Sequence, residues 1–272
     1  MLDRRRFLAL ACAGGALLIA PRLVFASVET DRRFIFIIQR GAADGLHIVS
    51  PYGDPDYAKM RGALAVDPAT ATKLDSSFAL HPALTETAKM YNAGEALFVH
   101  AIASPYRERS HFDGQNVIET GGSAPYQVKD AWLNRLVALL PKRKAPPIAL
   151  TPTVPMALRT GMGPAWMKTT VLVATEFGRT VAVNGTKGTD HGTATAAMLI
   201  GGAVQGGRVL TEWPGLSQAA LYDNRDLKAT MSLDAFIAGA VGESFVIDPA
   251  LVARTVFKEG SGAKPMTGLL RS

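Results

Sequence analysis

The chain of 272 residues is 48% hydrophobic and 19% charged, enough apolar surface to bury a core, which excludes disorder as its main state. Half of its formal +6 charge falls in residues 1–26, where four arginines face one aspartate; residues 27–272 hold 25 basic and 22 acidic groups, too even a balance for an electrostatic nucleic-acid footprint. The sole cysteine is Cys12, so beyond that position no disulfide, thiolate metal site or cysteine nucleophile is possible.

Residues 1–26 read as a targeting segment. Arg4, Arg5 and Arg6 precede an apolar run from Phe7 to Ala20, and Val24-Phe25-Ala26 offers a small-residue cleavage site before Ser27. The run is shorter than the ~20 apolar residues that a membrane span needs, so no stable span is expected after cleavage. Arg4-Arg5-Arg6-Phe7-Leu8 is similar to a twin-arginine leader, and Arg22 places a positive charge near the cleavage site. The expected partner is the twin-arginine export machinery and the expected location is the periplasm. Such substrates usually fold before export, often around a metal.

Residues 27–272 are expected to form one α/β domain. Arg33–Ile38 is a continuous apolar run bounded by charge, the mark of a strand buried on both faces. Pro82–Ala93 has helical spacing and is followed by Gly94. Ala96–Ile102 predicts a second buried strand, Ser110–Thr120 a helix stopped by Gly121-Gly122, and Ala131–Leu140 another helix. Thr170–Ala174 and Ala197–Ile200 predict two further strands, and Leu233–Val241 and Pro249–Val256 predict closing helices. Buried strands alternating with helices predict a mainly parallel sheet with helices on both faces.

Ligands in such sheets sit beyond the carboxyl ends of the strands. Asp44 follows the first strand, Ser110, His111 and Asp113 follow the second, and Glu176 and Arg179 follow the third, with Asp190-His191 between glycines further on. Carboxylate plus imidazole is a ligand set for zinc, manganese or similar divalent ions. Each residue also has a plainer role. Asp44-Gly45 is a common turn, Ser110 with Asp113 approximates a helix cap, and Glu176 is spaced to pair with Arg179. His81, before a helix start, and His100, inside a buried strand, read as structural.

Together these segments resemble the bacterial exported proteins grouped as domain-of-unknown-function family 1501. The resemblance is carried by Arg40–Leu46, Phe78–Leu84, Arg109–Asp113, Thr175–Thr180, Gly188–Gly192, Gly206–Arg208, Trp213–Leu216 and Arg225–Leu227. That family is similar in fold to the alkaline phosphatase and sulfatase superfamily, which uses divalent metals and a hydroxyl nucleophile. The resemblance implies metal-dependent hydrolysis of a small phosphate or sulfate ester. It places Asp44, Glu176 and His191 as ligands of a divalent ion such as zinc, manganese or calcium, and Asp190, paired with His191 between glycines, is a further ligand candidate. Ser110 and Arg179 are the catalytic candidates. Relatives also carry a Trp/Phe-Asp-Thr-His segment in the middle, and here Leu158–Met162 runs almost directly into Lys168–Val171. The chain is therefore expected to lack a middle segment and to be short of ligands for one ion. The alternative is a non-catalytic periplasmic binding or assembly protein.

Overall fold

A computed structural model of the chain describes residues 30–140, 163–260 and 262–271. The leader expected at 1–26 and the shortened junction expected at 158–162 lie outside the described residues.

The expected strands form. The main sheet contains β1 (Arg33–Ile38), β5 (Ala96–Ala103), β6 (Thr169–Ala174), β7 (Thr195–Ile200), β8 (Arg208–Leu210) and β9 (Met231–Ser232). Its order is β1-β6-β7-β5-β8, with β9 pairing further along the same edge of β5 as β8. β1 runs parallel to β6, in register from Arg33 opposite Thr169 to Ile38 opposite Ala174. β8 and β9 run parallel to β5. β7 differs from a purely parallel sheet, because it is antiparallel to both β6 and β5. Its apolar run predicts burial on both faces, which is observed, but burial carries no information about direction.

Side chains alternate between the two faces at period two. Leu97, Val99, Leu172 and Leu199 point to one face. There they meet Phe236 and Ile237 of α6 (Leu233–Phe245), Val252 and Val256 of α7 (Pro249–Val256) and Trp132 of α5 (Trp132–Leu139). Phe34 and Phe36 of β1 stand edge-on to Trp132, with ring centroids 6.4 and 5.3 Å away. Phe98, Val171, Val173 and Met198 point to the other face, against Tyr91 of α3 (Thr85–Asn92), Phe78 and Trp166. Helices therefore cover both faces. α6 is buried almost all round, in keeping with its mostly apolar sequence, and Ser232 caps it by accepting from the Ala235 amide at 3.3 Å.

Several elements differ from the sequence expectation. α3 starts at Thr85 rather than Pro82, because His81 to Leu84 close a turn first, with the Leu84 amide on the His81 carbonyl. A small antiparallel sheet joins β2 (Val49–Ser50), β4 (Ala79–Leu80) and β3 (Thr72–Lys73), strands too short to show a period. The short helix α1 (Gly45–Ile48) precedes β2, and α2 (Tyr57–Arg61) lies between β2 and β3. α4 (His111–Thr120) completes the set, with Ser110 at its N-cap and Gly121 closing it at φ +66°.

Candidate functional site

Because β1 and β6 are parallel and in register, Ile38 and Ala174 end side by side. The chains leaving them stay joined: Gln39 N donates to the Ala174 carbonyl at 2.7 Å, and the Thr175 hydroxyl lies 2.7 Å from the Gln39 carbonyl. The direction of β7 brings the next segment to the same rim, since it starts where β6 ends. The intervening loop folds into a short hairpin, with Gly178 N on the Thr193 carbonyl, Gly192 N on the Gly178 carbonyl and Arg179 bridged to His191. Glycine is required in this crossing. A Cβ on Gly178 would meet the Ala194 carbonyl oxygen at 2.0 Å, and one on Gly192 would meet the Arg179 carbonyl at 2.4 Å.

Glu176 is the hub of the rim and is only 1% exposed. Its Oε1 accepts from Gly41 N at 2.7 Å, Ala42 N at 3.2 Å and His111 Nδ1 at 2.7 Å, and the Thr175 hydroxyl lies 3.0 Å from Oε2. Burial pushes its carboxyl upward. Hydrogen bonds from its own backbone, Gly41, His111 and Thr175 outweigh that and hold it below the usual carboxylate range. His111 stacks on Phe177, and its Nε2 faces His191 Nε2 at 3.1 Å. A carboxylate only accepts, so His111 Nδ1 carries the proton toward Glu176 and one further proton is shared between the facing Nε2 atoms. Burial, then the charges of His111 and Arg179, lower the His191 ring below its ordinary value, against a hydrogen bond to the Arg109 backbone.

Beside His191 lies a cleft of about 350 Å³ walled by Arg109, Arg179 and Arg225 with Thr189 and Asp190. Each guanidinium is held from behind. Arg179 donates to the carbonyls of Ala42 and Gly41 at 2.9 Å and of Thr189 at 3.3 Å. Arg109 Nε and Arg225 Nε both donate to the fully buried Asp226, at 2.9 and 2.8 Å, and the Thr193 hydroxyl adds a third donor at 2.8 Å. The Nη1 groups of Arg109 and Arg225 have no hydrogen-bond partner among the described residues. Arg109 holds its place at φ +61°, a conformation a non-glycine residue rarely adopts.

The sequence candidates therefore divide. Glu176, Arg179, Asp190 and His191 gather at one rim. Asp44 follows β1 at that rim, but its carboxylate is committed elsewhere: Oδ2 pairs with the buried Arg61 at 2.5 Å and Oδ1 accepts from His47 N, which makes Asp44 the cap of α1. Asp190 is exposed and accepts from Asn184 at 3.1 Å. Ser110 stands at the start of α4 with no side-chain cap bond and faces a neighbouring cavity. With Glu176 saturated by donors and Asp44 paired to an arginine, these residues do not fit a paired-metal centre. Among the described residues no group of three or more His, Cys, Asp or Glu converges to hold an ion. His111, Arg109, Arg225 and Asp226 lie in the segments that carry the family resemblance, yet sequence reasoning did not select them for the site. Charge in a rim segment was the available signal.

No curated protein and no solved structure matches the chain. Residues 150–248, which contain Glu176, Arg179, Asp190, His191, Arg225 and Asp226, match the model of the family described as "Protein of unknown function (DUF1501)".

Proposed function

We propose that this chain is an exported protein that binds phosphate or sulfate esters through their oxyanion, in the cleft of Arg109, Arg179 and Arg225. The observation that carries the reading is the common anchoring of Arg109 and Arg225 on buried Asp226. It fixes two guanidinium groups before any ligand arrives, and Arg179, fixed on backbone carbonyls, makes a third. Pre-positioned arginines suit the planar, multidentate recognition of tetrahedral oxyanions. Hydrogen bonds to charged groups contribute about 1.5–3 kcal/mol each, so one arginine is expected to matter at least tenfold in affinity.

Slow hydrolysis of the same esters is a second reading, favoured by the Glu176–His111–His191 chain. His191 is the ring beside the cleft, and Glu176 orients the His111 ring behind it. No step of this reading runs through a metal ion.

Calorimetric titration of the purified protein with inorganic phosphate and with sulfate tests the binding reading. Saturable 1:1 binding is expected, weakened at least tenfold by Arg225→Ala and by Arg179→Ala in variants that keep the native circular dichroism. Absence of binding, or affinity unchanged in both variants, would overturn it. Turnover of aryl phosphates and sulfates, lost in His191→Ala, tests the second reading.

A further inference from the structure

The cleft that gathers Arg109, Arg179 and Arg225 also has Asp190 in its wall. A carboxylate beside three guanidinium groups is expected to pair with one of them. It does not. Arg109 pairs with Asp223 and Asp226, Arg225 pairs with Asp226, and Asp190 forms no ion pair among the described residues. Its Oδ1 accepts from Asn184 Nδ2 at 3.1 Å, and its Oδ2 has no hydrogen-bond partner among the described residues.

Local structure holds this carboxylate in place. Asn184 Oδ1 accepts from Thr186 N at 3.1 Å, from the Thr186 hydroxyl at 2.8 Å and from Gly188 N at 2.9 Å, which fixes the amide plane whose Nδ2 meets Asp190. The Asn184 amide closes the loop on the Gly188 carbonyl at 2.9 Å. The Asp190 backbone is tied to the rim hairpin, with its amide on the Thr180 hydroxyl at 3.1 Å and its carbonyl accepting from Thr180 N at 3.0 Å.

The cleft therefore asks for two things at once. Guanidinium groups only donate, and an ionised carboxylate only accepts. An oxyanion without a proton, such as sulfate, satisfies the arginines but sets a lone pair against Asp190 Oδ2, which loses its water and gains no donor. An oxyanion that keeps one hydroxyl satisfies both, since its bare oxygens accept from the arginines and its hydroxyl donates to Asp190. Inorganic phosphate keeps that hydroxyl, and a phosphate monoester keeps it only when singly protonated. A cationic group on the ligand would also answer Asp190, but it would sit beside three guanidinium groups.

Resting on the oxyanion reading above, we infer that Asp190 is a specificity-determining residue of the arginine cleft, and that the ligand class is phosphate carrying a P–OH group rather than sulfate.

Calorimetric titrations of the full protein with inorganic phosphate, sulfate and methyl phosphate test this in mildly alkaline buffer. There all three are mainly dianions, and only inorganic phosphate still carries a proton, so total charge does not distinguish them. Inorganic phosphate should bind at least tenfold more tightly than either of the others. Asp190→Asn keeps the shape and the acceptor for Asn184 but offers the ligand a donor. It should weaken phosphate, strengthen sulfate and bring the three affinities within about threefold. The comparison in the wild type needs no variant to fold. If sulfate or methyl phosphate binds the wild type as tightly as inorganic phosphate, or if the preference survives Asp190→Asn, Asp190 has no part in selection and the arginine cleft stands. If none of the three anions binds, the oxyanion reading falls and this inference falls with it.

Discussion

Asp226 shows how one buried side chain organises several exposed ones. Its carboxylate is out of water and is compensated by Arg109, Arg225 and Thr193. Asp226→Asn removes the charge, leaving Arg225 without its counterion, Arg109 with only the exposed Asp223, and an amide that cannot accept from all three donors. The expected cost is about 2–3 kcal/mol in urea denaturation, together with loss of phosphate binding at least as large as that of Arg225→Ala. A variant with native affinity would show that the arginines hold their positions without it. Asp44 and Arg61 form a second such pair, which ties the loop after β1 to the carbonyls of Thr180 and Val181. Where the rim hairpin crosses itself the constraint is steric rather than electrostatic. Gly192→Ala drives a methyl against the Arg179 backbone, and a loss of about 1–3 kcal/mol is expected, read as a lower thermal midpoint with weaker anion binding.

Among the elements, β5 carries a bulge at Ala101, a residue at φ +54°, where pairing with β7 slips between His100 and Ile102. His100 serves this irregularity. Its Nδ1 accepts from the Ala101 amide at 2.8 Å, and its Nε2 donates to the Val49 carbonyl at 2.9 Å. Only the neutral ring can do both, and burial pushes its pKa down to about 4 from an ordinary 6.5. The unfolded chain therefore takes up a proton that the folded chain refuses. Stability from this group is complete above pH 6.5 and falls as pH drops toward 4, by about 3 kcal/mol. Urea midpoints at pH 7.5 and 4.5 should fall further in the wild type than in His100→Gln, and equal slopes would remove His100 as the cause. The strands around it were legible because long apolar runs with Ile, Val and Phe have few alternatives to a buried sheet. The direction of β7 was not legible, since periodicity is the same read either way. Glycine-flanked charge at the strand ends pointed to the rim, and Glu176, Arg179 and His191 meet there. The role of Asp226 was hidden, because a buried carboxylate is recognised by its partners, and Arg109 lies 117 positions away.

For the whole molecule, a ligand that binds only the folded state raises its stability with concentration. Phosphate at 100 times its dissociation constant should add about 2.7 kcal/mol, visible as a rising thermal midpoint that is absent in Arg225→Ala. The proposed twin-arginine leader makes a separate prediction. Replacing Arg4, Arg5 and Arg6 together by lysine keeps the charge but removes the guanidinium pattern, and periplasmic accumulation should stop. Normal accumulation of that variant would sink the twin-arginine reading.

The antiparallel course of β7 also sets an order of events during folding. Residues paired between β6 and β7 lie 25–29 positions apart, whereas β1 must find β6 across 136 positions. Closing the short loop costs less chain entropy, so the β6–β7 hairpin is expected to form first and β1 to dock later. Arg179 and His191 thus face each other early, while Glu176 waits for the amides of Gly41 and Ala42. Pulse-labelled hydrogen exchange should show amides of β6 and β7 protected before those of β1, with anion affinity appearing only in the second phase.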